Sequence, residues 1–84
     1  MVGRLLHAYE QIKRGFCHDA ANTLRRLSVD LSAEKQDILA AQVSDLATGL
    51  SVQDEQLRKA FVPFALKQIR ELLKSRGVQI GEED

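Results

Sequence analysis

The chain has 84 residues with equal numbers of basic and acidic side chains, which is the size of one domain. Hydrophobic residues make up 44% and charged residues 29%, a balance that excludes an intrinsically disordered body. A single cysteine, Cys17, excludes an internal disulfide, and the N-terminal residues show neither a signal peptide nor a transmembrane segment. We therefore expect a small, Leu-rich cytoplasmic domain.

The first two predicted helices carry apolar residues three and four positions apart, the spacing that places side chains on one helix face. The first apolar series covers residues 2–16, and Gly15 either ends this helix or weakens it. The second covers residues 20–31, and Asp19 is the expected N-cap.

The third predicted helix follows a turn over residues 28–32. Ser32 is its expected N-cap, and Glu34 lies in its first turn, where the helix dipole favours negative charge. Its apolar residues are Leu39, Val43, Leu46 and Leu50. Gly49 is expected just beyond its end, in a left-handed conformation that costs glycine nothing.

The fourth apolar series is the longest and covers residues 57–73. Ser51 and Asp54 resemble a capping box before it, and Gly77 follows it as a helix end should. Pro63 interrupts the series, because proline lacks the N–H that a helix interior needs. It either kinks one long helix or begins a new helix at its N1 position.

The predicted loops are short, which requires neighbouring helices to run antiparallel. No segment alternates apolar and polar residues over the length of a strand, so we place none. The sequence therefore predicts an all-α fold, a small antiparallel three- or four-helix bundle formed by residues 1–77. Residues 78–84 lack a period and end in three acids, and we expect them to form a flexible acidic tail.

The residues that carry chemistry in other proteins are isolated here. Cys17 and His18 are adjacent and point about 100° apart on a helix, a poor geometry for metal ligands, and His7 stands alone. No potential general base lies at a spacing from Cys17 that predicts contact between the two side chains in the folded protein. The glycines are scattered, so no phosphate-binding loop is present. We therefore expect no enzyme activity, no metal and no cofactor.

The segment 57–73 is more apolar than a helix packed on one side needs, since an ordinary surface helix has an apolar arc of a little over 100°. It is either a central core helix or a surface that a partner covers. Our leading hypothesis is a non-catalytic protein-interaction module, such as a small chaperone, adaptor or regulator, that presents this segment to a protein partner or to a second copy. A homodimer is the first expectation for so small a domain. The predicted contact residues are Leu57, Phe61, Phe64, Leu66, Ile69 and Leu73.

Charge is unevenly distributed along the chain. Residues 32–56 carry a net charge of −4 and residues 57–76 a net charge of +5. The simplest interpretation is that an acidic third helix lies beside a basic fourth helix and the two balance. The alternative function is a nucleic-acid-binding regulator that uses the basic helix 58–76. Its predicted polyanion contacts are Arg58, Lys59, Lys67, Arg70 and Lys74.

A helix-turn-helix DNA reader is the most specific form of this alternative, and its details fail. Residues 38–61 have the right outline, but Asp45 and Glu55 occupy positions where the motif places a small and an aliphatic residue. Asp54 and Glu55 would also repel phosphate from the start of a recognition helix. Nucleic-acid binding is therefore the less favoured hypothesis. We expect no membrane binding, because Pro63 and the acidic tail interrupt the basic amphipathic pattern.

Overall fold

The structure, a computed structural model, describes residues 1–80, which form four α-helices and no strand. The helices are α1 (Val2–Lys13), α2 (Cys17–Ala33), α3 (Asp37–Leu50) and α4 (Glu55–Lys74). Consecutive helices pack against each other, and contact between α1 and α4 closes the ring. The connecting loops are so short that successive helices run antiparallel. The predicted all-α antiparallel bundle is confirmed.

The core is one apolar cluster to which every helix contributes. Its largest fully buried side chains are Leu5, Leu24, Leu27, Leu31, Val43, Leu50, Ile69 and Leu73. No polar or charged side chain of the described residues is buried. Because burial of one such leucine contributes about 1.5–3 kcal/mol, the bundle owes its cohesion to apolar packing.

The end of α4 has the predicted form. Gly77 adopts a left-handed φ of 83°, and the N–H of Val78 donates to the carbonyl of Leu73 at 3.0 Å. Val78 and Ile80 are then half-buried against the core. Residues 81–84, the rest of the predicted tail, lie outside the described residues.

The end of α2 differs from its prediction. The helix continues through residues 28–32, where a turn was predicted, because Leu27 and Leu31 both pack in the core. The chain reverses at Lys35, whose φ of 64° is left-handed, and the N–H of Gln36 donates to the carbonyl of Leu31 at 2.9 Å. A lysine thus occupies a position that usually selects glycine, which leaves no signal in the sequence.

Two predicted N-caps are wrong for related reasons. α2 begins at Cys17, so Asp19 lies within its first turn instead of before it. Ser32 lies in the last turn of α2 and does not begin α3. At the end of α1, Gly15 has a left-handed φ of 89°, so it follows the helix and is the signal that ends it.

The start of α4 is capped by Asp54 and not by Ser51. The Asp54 carboxylate accepts hydrogen bonds from the backbone N–H groups of Gln56 at 2.9 Å and Leu57 at 3.2 Å. From there α4 runs through Pro63 as one helix. Pro63 is exposed, so it lies on the outer face of the helix and not in the core.

Gly49 lies inside α3 and not beyond its end, and it lets α4 approach closely. A Cβ atom built on Gly49 would lie 2.5 Å from two atoms of the Phe61 ring, closer than carbon atoms pack. The ring therefore occupies the space that any larger residue at this position needs. Gly49 thus sets where Phe61 sits on the surface of the bundle.

Replacing Gly49 by alanine is expected to move the Phe61 ring. Alanine has a higher helix propensity than glycine, which should raise the free energy of unfolding by about 1 kcal/mol. The displacement of the Phe61 ring should offset that increase. Gly3→Ala is the matched control, because it is an exposed helical glycine with no atom within 4 Å of the added Cβ. Urea denaturation should show Gly49→Ala to be less stable than Gly3→Ala by about 1 kcal/mol. Equal gains in both variants would contradict the close packing.

Candidate protein-binding surface

α4 has one row of apolar side chains that is fully buried and a second row that the core covers only in part. Ala65, Ile69 and Leu73 are fully buried at a spacing of four. A second row lies beside them on the helix surface, and its members follow one another by three or four residues, which places them on one face. We call this row the aromatic stripe: Leu57, Phe61, Phe64, Gln68 and Leu72.

The aromatic stripe is partly open to solvent. Leu57 is 62% exposed and Phe64 is 51% exposed, while Phe61, Gln68 and Leu72 are half-buried. The rings of Phe61 and Phe64 are 5.3 Å apart between centroids and tilted by 54°, within the range of favourable aromatic pairs. This pairing, together with the contact at Gly49, fixes the position of both rings.

A groove of about 250 Å³ runs between the aromatic stripe and α3. We call it the α3–α4 groove. Its lining residues are Gln42, Asp45, Leu46, Phe61, Phe64, Gln68 and Leu72. Its surface combines apolar carbon with two amides that can donate and accept hydrogen bonds, and it has one carboxylate.

α3 also carries an exposed apolar side chain near its start. Ile38 is 80% exposed, the highest value among the large apolar side chains of the described residues. It lies one turn before Gln42 and so on the same face of α3. Ile38 does not line the groove itself.

The predicted contact residues divide between this surface and the core. Leu57, Phe61 and Phe64 lie in the aromatic stripe. Ile69 and Leu73 have no exposed surface, so the structure removes them from the contact set, because their side chains close the core instead. Leu66 is the remaining residue of the set. It is half-buried, and it lies two positions and so about 200° around the helix from Phe64.

Sequence reasoning missed the polar part of the groove. Gln42, Asp45 and Gln68 carry no apolar signal, and the first two belong to another helix. Leu72 was included in the apolar series but not among the contact residues. Leu72 lies eight residues after Phe64, and this spacing was the one feature of the sequence that indicated that the two side chains lie near each other.

The predicted polyanion contacts are not brought together on one surface. The guanidinium of Arg58 donates to the carbonyl of Val52 at 2.7 Å and so braces the loop before α4. Lys59 pairs with Glu55 at 3.2 Å, one turn away. The other three line a second groove, of about 710 Å³, beside Glu71 and residues 78–80; they are Lys67, Arg70 and Lys74.

The residues considered for chemistry remain separate. Cys17 is half-buried at the start of α2, and His7 and His18 are exposed on different helices. Residues 1–80 contain no group of three or more histidine, cysteine or acidic side chains placed to hold a metal ion. None of the helices in this range has the length and apolarity that crossing a bilayer requires.

Comparison of the chain with protein-family models, with curated proteins and with solved structures finds no match. The function is therefore argued from the geometry of the surface. That geometry favours the α3–α4 groove, because Phe64, which lines it, leaves a large apolar side chain open to solvent beside the half-buried Phe61.

The two faces of α4 should differ sharply in their contribution to stability. Ile69→Ala is expected to lower the free energy of unfolding by about 2–5 kcal/mol, because it leaves a cavity in the core. Phe64→Ala should cost about 1 kcal/mol or less, since half of that side chain already contacts water. Chemical denaturation followed by circular dichroism measures both values. Similar losses in the two variants would show that Phe64 belongs to the core.

Proposed function

We propose that this protein is a non-catalytic protein-interaction module that presents the α3–α4 groove to a protein partner. A small adaptor, chaperone or regulator would use such a surface. The observation that carries the proposal is the exposure of Leu57 and Phe64 beside a fully buried row on the same helix. Covering a large apolar side chain contributes about 1.5–3 kcal/mol, so a few such residues at one interface give useful affinity.

The arrangement of the stripe supports recognition of an extended or helical segment. Its members recur at the spacing by which helices present apolar anchors to one another. The paired rings of Phe61 and Phe64 form a rigid aromatic centre, the kind of residue that dominates binding energy in protein interfaces. Gln42 and Gln68 supply hydrogen bonds that fix the orientation of the bound segment.

Nucleic-acid binding is the second candidate, and the observation in its favour is the shared placement of Lys67, Arg70 and Lys74 along one groove. Two observations weaken it: Arg58 braces a loop, and Glu71 lines the same groove. If this candidate holds, a labelled RNA or DNA duplex binds in a way that depends on Lys67 and Lys74 and weakens steeply with salt.

The proposed function is tested by affinity capture with three immobilised forms of the protein, using a lysate of the cells from which the sequence comes. The forms are the wild type, Phe64→Gln, and Phe16→Gln as a matched control. Phe16 is 53% exposed, close to the 51% of Phe64, but it lies in the loop before α2 and does not line the α3–α4 groove.

Proteins retained by the wild type and by Phe16→Gln, but lost with Phe64→Gln, are the expected result, and the loss should be at least about tenfold for a central aromatic contact. Circular dichroism should show that all three forms are folded. Retention of the same proteins in equal amounts by all three forms would contradict the proposal.

A further inference from the structure

The groove of about 710 Å³ beside the C-terminal half of α4 is lined mainly by cations. Lys67, Arg70 and Lys74 follow one another by three and four residues, so they share one face of the helix. Glu71 lines the same groove within reach of Lys67 and Lys74, and it can neutralise only one positive charge. The lining therefore keeps an excess of positive charge. We call this groove the basic groove.

The chain itself enters the basic groove after the end of α4. Gly77 turns the backbone with a left-handed φ of 83°, and the N–H of Val78 donates to the carbonyl of Leu73 at 3.0 Å. Val78 and Ile80 then pack half-buried against the core, and both line the basic groove together with Gln79. The residues that follow Ile80 therefore start inside the groove and not away from the bundle.

The sequence that follows Ile80 is acidic. Residues 81–84 lie outside the described residues, and their sequence is Gly81, Glu82, Glu83 and Asp84. An extended chain advances about 3.3 Å per residue, so these four residues reach up to about 13 Å from Ile80. Lys67 and Lys74 are about 10 Å apart along the helix axis. Three carboxylates thus have the reach to meet the three cations of the groove.

We propose that residues 82–84 occupy the basic groove of their own chain, pair with Lys67, Arg70 and Lys74, and close the groove to other polyanions. One exposed ion pair contributes little, because water and salt screen it. A short tether favours several such pairs, since it holds the acids at an effective concentration on the order of millimolar. A polyanion from solution has to displace them. This inference is independent of the α3–α4 groove and its partner.

Carbodiimide coupling tests the contact, since the reagent joins a carboxylate to an amine that already touches it and itself becomes a urea. The full chain is coupled at low concentration, and the linked peptides are quantified by mass spectrometry. The pair of Glu55 and Lys59, 3.2 Å apart, is the internal standard. Residues 82–84 should couple to Lys67 and Lys74 within one chain. Salt at about 1 M should lower that yield, because the Debye length is then only about 3 Å.

Arg70 distinguishes docking from mere proximity, because its side chain does not couple but should hold the acids in place. Arg70→Gln should lower the coupling of residues 82–84 to both lysines by about threefold or more. Arg14→Gln is the matched control and should leave the yield unchanged, since Arg14 is exposed and does not line the basic groove. Circular dichroism should show that both variants are folded. Equal yields in the wild type and both variants, or coupling mainly between chains, would overturn the proposal.

Binding of a fluorescent heparin hexasaccharide measures whether the groove is closed. One variant neutralises the proposed occupant with Glu82→Gln, Glu83→Gln and Asp84→Asn. The control variant neutralises three exposed acids outside the basic groove with Asp19→Asn, Glu34→Gln and Asp37→Asn, so the net charge changes equally. The first variant should bind about threefold to tenfold more tightly than the control, as expected when two or three weak ion pairs no longer have to be broken. Equal affinities, or no binding by the first variant, would contradict the proposal.

Discussion

The bundle depends on a narrow contact between α4 and the other helices. In a helix of 20 residues, only Ala65, Ile69 and Leu73 are fully buried, and the helix contacts both α1 and α3. Other apolar side chains of α4 pack against the core only in part, and Leu57 and Phe64 are more than half exposed.

The open face of α4 follows from how the helix docks. Gly49 removes the side chain that would hold the two helices apart, so the Phe61 ring rests directly on α3. Phe61 in turn supports Phe64, which lies further from α3 and contacts solvent. The same packing that places α4 in the bundle therefore organises the aromatic centre of the groove. The contact between α3 and α4 therefore holds Phe61 in place and leaves Phe64 exposed at its outer edge.

Apolar periodicity predicted the helices well, because residues such as Leu24, Leu27 and Leu31 recur at helical spacing and are all buried. Local turn signals were weaker guides. Ser28 suggested a turn, yet its hydroxyl donates to the carbonyl of Ala40 on α3 at 2.9 Å, a bond that only the folded bundle provides. The left-handed Lys35 had no recognisable signal at all.

Apolar periodicity also predicted part of the candidate site. The sequence shows that α4 has a wide apolar arc, and this predicted the place of Leu57, Phe61 and Phe64. It does not show which edge of the arc the neighbouring helices cover, so Ile69 and Leu73 could not be separated from the open residues. Asp45 lies at the site only because α3 packs against α4. No local sequence pattern predicts that packing.

The most direct test of this account is the solvent accessibility of individual side chains in the isolated protein. NMR signals can be measured with a soluble paramagnetic reagent over a range of protein concentrations. The account predicts strong attenuation of the Phe64 ring and the Leu57 methyl groups at every concentration, with the Ile69 and Leu73 methyl groups protected. Equal protection of Phe64 and Ile69 would contradict it, because the proposed binding surface would then be covered within the protein itself or by a second copy.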